Sequence, residues 1–271
     1  MLASGRPEYV VAFRDQTCEV IGDMPEEATS AMKSRPQRRW FQYSLRTFLL
    51  IVTLICVWLG WRITAARQQR LAVAAVRELG SGIEYDFDKN DQEVDRHPSE
   101  PAWLMSIFGV DFFHDVVDVD LTEGSTPKPK DFDSLRPHLR YFPRLQYIVL
   151  SHCKFDDRDF QYLASFQDLR GLWLRNEAQI GGVGFRFVTN LKRFNWLMME
   201  DVPITDEGVE EIKNVASLEQ LYLQNARVTD ASIESLVKPA KLNVLDVRGT
   251  SISSDGVRRL HELRPNMDIR P

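Results

Sequence analysis

From Val116 onward, apolar residues recur in one pattern every 24 or 25 residues. The units begin at Val116, Leu145, Leu169, Phe194, Leu218 and Leu242, at steps of 29, 24, 25, 24 and 24 residues. Within each unit the apolar residues stand at positions 1, 4 and 6, as in Leu145, Ile148, Leu150 or Leu218, Leu221, Leu223. Neighbours along a strand point to opposite faces, so positions 4 and 6 enter one core. Five or six residues later another apolar residue (Phe155, Ile180, Ile204, Val228, Ile252) starts a return leg. The pairs Asp156-Asp157, Thr205-Asp206, Thr229-Asp230 and Ser253-Ser254 then suit helix N-caps, where side-chain oxygens accept free backbone N–H groups. Apolar residues follow at helical spacing, as in Val209, Ile212, Val215 and Val257, Leu260, Leu263. Each unit therefore predicts strand, turn and helix. Ile269 falls at the strand position of a further, truncated unit. A period of this length marks a solenoid.

Upstream the pattern changes. Tyr43 to Trp61 is a run of 19 residues with one charge, Arg46. As a helix it is roughly 28 Å long, close to the hydrocarbon thickness of a bilayer. Arg46 lies near one end, where its stem can reach the headgroups. Trp40, Phe41 and Tyr43 at one edge, with Trp58 and Trp61 at the other, match aromatic belts. A cleaved signal peptide is the rival reading. Against it, the run is long, ends in Trp61-Arg62, and is followed only by a poor cleavage pattern at Thr64-Ala65-Ala66. Lys33, Arg35, Arg38, Arg39 and Arg46 precede or open the span; Arg62, Arg67, Arg70 and Arg77 follow it. Five against four favours a cytoplasmic N-terminus, with the repeats on the non-cytoplasmic side.

Beyond Arg62 the chain is rich in helix formers up to Gly80, which predicts a helix continuous with the span. Ile83, Tyr85 and Phe87 alternate as in a short strand. Residues 88–101 read as a polar loop. Trp103, Leu104, Ile107 and Phe108 form an apolar helical face suited to cover the open end of a solenoid. The expected organisation is a disordered tail (1–37), a transmembrane helix (38–62), a juxtamembrane helix with an N-terminal cap (63–115), and repeats (116–271). A start at Met32 would leave a compact signal-anchor.

Charge sharpens this division. Residues 1–32 carry a net charge of −4, residues 33–77 carry +9, and residues 78–271 carry −10, which together give the chain's −5. An acidic repeat region argues against nucleic acid, whose phosphates need a clustered basic face. The three cysteines, Cys18, Cys56 and Cys153, give neither a disulfide framework nor zinc spacing.

The segments LEQLYLQNARVTDASI and FNWLMMEDVPITDEGV, with their L-x-x-L-x-L…x-I-T-D-x-G pattern, resemble leucine-rich repeats of the cysteine-containing, F-box-associated type. RRWFQYSLRTFLLIVTLICVWLGW, with RQQRLAVAAVRELG a little further on, is similar to the lead-in of membrane-anchored leucine-rich-repeat proteins common in planctomycete bacteria. The two resemblances cover residues 38–80 and 116–271. They imply an α/β leucine-rich-repeat solenoid with a parallel sheet on its concave face, preceded by a single transmembrane helix. The chain departs from the F-box type: it shows no F-box, and only Cys153 holds the family's Cys/Asn position, where later units have Glu177, Val202, Ala226 and Thr250. A ubiquitin-ligase role is not implied.

Positions 3 and 5 of each strand point away from the core, onto the concave surface. They gather Tyr147, Trp173, Trp196, Met198 and Tyr222 at the centre, flanked by Asp118, Asp120, Glu200 and Asp246. Grouped aromatics on an open face are the composition of a binding hot spot; the competing reading is sheet stabilisation through cross-strand contacts. Tyr147, Trp173, Trp196, Met198, Tyr222, Asp120 and Asp246 are the expected partner-binding residues. Catalytic signals are weak. Ser151-His152-Cys153 are strand neighbours facing opposite sides. Asp118 and Asp120 share a face but are too few ligands for a cation. His97, His114, His138 and His261 read as surface or loop residues. Gly181-Gly182-x-Gly184 lacks the Lys and Ser/Thr of a phosphate loop. The expectation is a non-catalytic membrane protein that binds a protein partner, without cofactor, metal, small-molecule substrate or nucleic acid. The alternative is an envelope or assembly component with no single ligand.

Overall fold

The structure is a computed structural model that describes residues 45–87, 100–122 and 131–271. The expected tail, the leading basic cluster, Cys18, Trp40, Phe41, Tyr43, His97 and most of the polar loop lie outside the described residues. Contacts divide the chain into Met1–Leu50 and Ile51–Pro271. In the first unit, residues 45–50 are helical.

Helix α1 (Leu45–Glu78) runs unbroken for 34 residues, and Gly80 follows in the left-handed conformation (φ 77°) that commonly ends a helix. It is long and apolar enough to cross a membrane, and no residue of its most apolar window is buried. Further on it buries Ala66, Gln69, Ala72, Val73 and Val76. These residues lie three or four apart, as one stripe of a helix requires. The stripe docks through a polar knot around the buried Asp111. Tyr85 donates its hydroxyl to Asp111 Oδ1 (3.0 Å), Gln69 Nε2 donates to the same oxygen (3.3 Å) and to the His114 carbonyl (2.9 Å), and Arg70 lies 3.4 Å from Asp111 Oδ2. Burial, and then the charge of Asp111, push the Tyr85 phenol well above its ordinary range.

Among the described residues, eight strands form one sheet in chain order: β1 (Gly82–Tyr85), β2 (Val116–Leu121), β3 (Tyr147–Ser151), β4 (Gly171–Arg175), β5 (Trp196–Glu200), β6 (Gln220–Gln224), β7 (Val244–Asp246) and β8 (Asp268–Arg270). β1 is antiparallel to β2, and every later pairing is parallel. Spatial order follows sequence order because each repeat packs only on its neighbours. The register aligns position 4 with position 4 and position 6 with position 6, as in Ile148, Leu172, Leu197, Leu221 and Leu245, all at most 1% exposed.

The return legs are short: α3 (Phe132–Leu139), α4 (Phe160–Leu163), a 3-10 turn (Val183–Phe187), α5 (Asp206–Ile212), α6 (Ile233–Leu236) and α7 (Ser254–Leu263). Phe132, Phe155, Phe160 and Phe185 form an edge-to-face column through successive repeats, with centroids 4.8, 5.0 and 4.6 Å apart. At the strand exits His152, Asn176, Asp201, Asn225 and Gly249 all take positive φ, a ladder of left-handed residues that Asn, Asp, His and Gly adopt most readily.

The expected N-caps are only partly found. The Thr229 and Ser253 side chains accept from Ala231 and Gly256 N–H as caps do. Asp156 likewise accepts from Arg158 and Asp159 N–H in its own repeat, whereas Asp157, Asp206 and Asp230 reach across to the next one. Asp206 accepts from the backbone N–H (2.8 Å) and hydroxyl (2.7 Å) of Thr229 and from the Ser232 hydroxyl, and Asp230 accepts from Ser253 N (2.8 Å) and Oγ (2.6 Å). Burial acts to raise the Asp206 pKa, but these hydrogen bonds outweigh it and hold the carboxyl below its ordinary value. Asp157 accepts from Gly181, Gly182 and Gly184 N–H at 2.8, 3.0 and 2.9 Å. The glycine turn is thus an anion nest filled by the protein's own carboxylate.

Two further expectations are corrected. Trp103 to Phe108 does form a helix, α2 (Ala102–Phe108), but it buries no residue, and Trp103 and Ile107 are 64% and 65% exposed. The sheet's first edge is covered instead by β1, with the α1 stripe packed in the same core. His114, expected at the surface or in a loop, lies in a loop but is buried, with Nδ1 2.7 Å from Asp86 and Nε2 2.8 Å from Glu100. It thus bridges Asp86 and Glu100.

Candidate functional site

The strand register places positions 3 and 5 in two parallel rows on the sheet face opposite the helices. One row reads Glu84, Asp118, Tyr147, Gly171, Trp196, Gln220, Val244. The other reads Gly82, Asp120, Val149, Trp173, Met198, Tyr222, Asp246, Arg270. Adjacent strands lie about 4.8 Å apart, so neighbours in a row are in side-chain reach.

Five of the seven expected residues come together. Trp173, Met198 and Tyr222 are consecutive in the second row, and Trp196 meets Tyr222 edge-to-face at 6.5 Å. Tyr147 and Trp196 stand on either side of Gly171. A Cβ on Gly171 would lie 2.6 Å from Trp196 Cε3 and 2.7 Å from Tyr147 Cδ1, so the two rings close over a position that only glycine can hold. Beside them is a shallow cleft of about 350 Å³ lined by Asp118, Tyr147, Val149, Asn195, Trp196 and Gln220. All five apolar residues are half-buried.

The two acids differ. Asp120 lies beside Val149 in the second row, its Oδ1 accepting from Thr122 N–H at 2.8 Å. Asp246 is not a surface residue: it is 0% exposed, bonded to Gln224 (3.0 Å) and to the Arg248 backbone and guanidinium. Burial tends to raise its pKa, but the bonds from Arg248 and Gln224 prevail and hold it low. Alternation alone sends position 5 outward; Arg248 then folds over the carboxylate.

Some site features lay beyond the sequence reading. Glu84 joins the first row because β1 pairs antiparallel with β2, which alternation within residues 83–87 does not reveal. The Arg270 guanidinium reaches back to stand 6.0 Å over the Tyr222 ring. Catalytic geometry is not assembled at Ser151-His152-Cys153: Ser151 and Cys153 are buried, while His152 is exposed in the left-handed turn. Among the described residues no group of three His, Cys, Asp or Glu is placed to hold a metal ion.

No family model matches the chain, and no curated protein matches it. Among solved structures it is similar to an internalin from Listeria monocytogenes, at 17% identity and a TM-score of 0.35, over 52% of this chain and 44% of that one. It is also similar to a leucine-rich-repeat protein from Leptospira interrogans, at 16% identity and a TM-score of 0.37, over 49% of this chain and 39% of that one. The matched region spans less than half the length of either structure. The register of β1 to β8, and not these likenesses, defines the solenoid.

Proposed function

We propose that this chain is a single-pass membrane protein that presents the open, concave face of a leucine-rich-repeat solenoid to a protein partner, without catalysis. The observation that carries this reading is the contiguous set Tyr147, Trp173, Trp196, Met198 and Tyr222 on the face that the helices leave free. Aromatics stabilise a sheet too, but Trp173 is a poor choice for that purpose alone. Its indole N–H is buried without a hydrogen-bond partner among the described residues, at a cost of about 1–3 kcal/mol that phenylalanine would avoid. Trp173→Ala and Trp196→Ala should each weaken partner capture by the detergent-solubilised full chain about tenfold or more, with little change in thermal midpoint. If both variants unfold, the aromatics are structural. Broad or absent capture by the native chain favours an assembly component with no single ligand.

Helix α1 supports the membrane part of the reading. One helix carries both the exposed apolar stretch and the stripe that docks beside Asp111. With five basic residues before or at the start of the span and four after it, the repeats belong on the non-cytoplasmic side. A C-terminal topology reporter should therefore respond as a translocated domain. A cytoplasmic signal would reverse the orientation.

A further inference from the structure

Helix α2 is fixed against α1, yet its own apolar face is left open. Its sequence, AWLMSIF, holds no charged residue. Phe108 turns inward and packs on Phe112 and Phe113, with ring centroids 4.9 and 6.3 Å apart, and Phe112 meets Phe113 at 4.9 Å. Trp103 and Ile107 are four residues apart, hence on one side of the helix, and are 64% and 65% exposed. Single exposed apolar residues are ordinary, but a tryptophan paired with an isoleucine on one face of an uncharged helix marks a contact surface.

The position of α2 says what covers that face. The Arg62 guanidinium donates to the Phe112 carbonyl and lies 5.5 Å from the Phe112 ring centroid, and Arg70 Nη2 donates to the Phe108 carbonyl at 3.2 Å. Arg70 also crosses Gly109 so closely that a Cβ there would lie 1.6 Å from Nη2, and Gly109 holds a positive φ of 81°. Arg62 directly follows Trp61, the last residue of the exposed apolar stretch, and Arg70 stands about 12 Å further along the helix axis. Side chains on a helix lean toward its N-terminus, so both guanidiniums reach back toward that stretch. The interfacial layer of a bilayer extends about 5–8 Å beyond the hydrocarbon on each side. The two contacts bracket that layer, the level at which tryptophan is enriched. From Ile51 to Arg77, α1 carries Arg62, Arg67, Arg70 and Arg77 and no acid, which complements lipid phosphates.

We propose that α2 lies in the interfacial layer of the bilayer that α1 crosses, with Trp103 and Ile107 inserted among the lipid headgroups. This inference rests on the reading of α1 as a membrane span and adds a second contact with the same leaflet. A single helix leaves the domain that it carries free to tilt. A second contact beside it sets the angle of the solenoid to the surface. A soluble partner would have to reach the same face across the headgroups.

The test uses the full chain in phosphatidylcholine vesicles whose acyl chains are either plain or brominated close to the glycerol, since bromine quenches tryptophan only on contact. The difference in emission between the native chain and Trp103→Phe isolates Trp103. The double variant Trp58→Phe, Trp61→Phe isolates the end of the span in the same way. Both differences should fall about twofold or more in the brominated vesicles. Ile107→Glu should weaken the quenching of Trp103 and leave the thermal midpoint level, because neither side chain lies in the core. Quenching of the Trp58 and Trp61 pair without Trp103 overturns the interfacial contact and leaves the span standing. A Trp103 emission that then shifts with the protein-to-lipid ratio identifies a second copy as the occupant instead. Trp103 quenching that Ile107→Glu does not change also overturns the contact, because the face then does not insert as a unit. Quenching of neither site overturns the span, and this inference falls with it.

Discussion

Phe160→Ala should destabilise the solenoid by about 3–5 kcal/mol, one of the larger single losses available in this core. Phe160 is fully buried and sits in the middle of the aromatic column, edge-to-face with Phe155 at 5.0 Å and with Phe185 at 4.6 Å. Truncation removes both contacts and leaves a cavity that its neighbours cannot fill. Gly184 already approaches so closely that a Cβ there would lie 2.4 Å from Phe160 Cδ2, and the Gly184 amide is itself held by Asp157. A solenoid's cooperativity is the sum of nearest-neighbour interfaces, so the loss should also weaken coupling between the repeats on either side. Denaturant unfolding should show a lower midpoint and a less cooperative transition. Phe160→Leu, which keeps most of the volume, should lose much less. A loss below about 1.5 kcal/mol for alanine would mean that the column repacks and is not a rigid spine.

Glu177→Ala should cost about 2–4 kcal/mol for a different reason. Glu177 is 1% exposed at a position where the neighbouring repeats hold Cys153, Val202 and Ala226, all buried. Its carboxylate accepts from Cys153 N at 2.6 Å and from Phe155 N at 3.0 Å, closing the turn of the preceding repeat. Alanine leaves those two buried donors unanswered. Burial is the largest influence on the acid and raises its pKa above the ordinary glutamate value, even though the backbone bonds pull it down.

The sign of the pH dependence follows. A raised folded pKa means that the folded state holds the proton more tightly than the unfolded chain. The contribution is therefore full below the unfolded pKa and is lost as pH rises through the folded value. Glutamine imitates the neutral acid at every pH. The stability gap between the native chain and Glu177→Gln should therefore narrow as pH rises from about 4 to 7. Unfolding midpoints of the two proteins across that range decide the matter, and a gap that widens with pH would contradict the buried-acid account. Asp206 and Asp230, held low by the hydroxyls and amides of the next repeat, run in the opposite sense and lose their contribution on acidification. Comparing native and Gln chains at equal pH removes that background.

Much of the architecture was legible because its causes are local and repeated. Alternation and a fixed period decide which residues of each strand face inward, and Leu145, Ile148 and Leu150 are all fully buried as the pattern requires. Gly80 ends α1 because of its own backbone freedom, which sequence displays directly. The aromatic set on the open face follows from the same alternation.

What failed had no local signature. Both the α2 face at Trp103 and the α1 stripe at Ala66 to Val76 are apolar and helical, and nothing in either composition says which one the core takes up. The choice depends on the Asp111 knot, whose members Gln69, Tyr85 and Asp111 are far apart in the chain. Asp246 points outward by position, yet Arg248 covers it; Asp206 has the look of a helix cap, yet it bonds the following repeat. These are interactions between side chains and non-adjacent backbone, set by distances that exist only once the repeats stack. The sequence by itself determined the period, the inward face, the long α1 helix and the cluster of aromatics. Tertiary structure alone decided which apolar face closes the sheet, which acids are buried or shared between repeats, and that Glu84 stands opposite Asp118. Periodicity fixes the direction in which a side chain leaves the backbone, whereas its partner is fixed by packing.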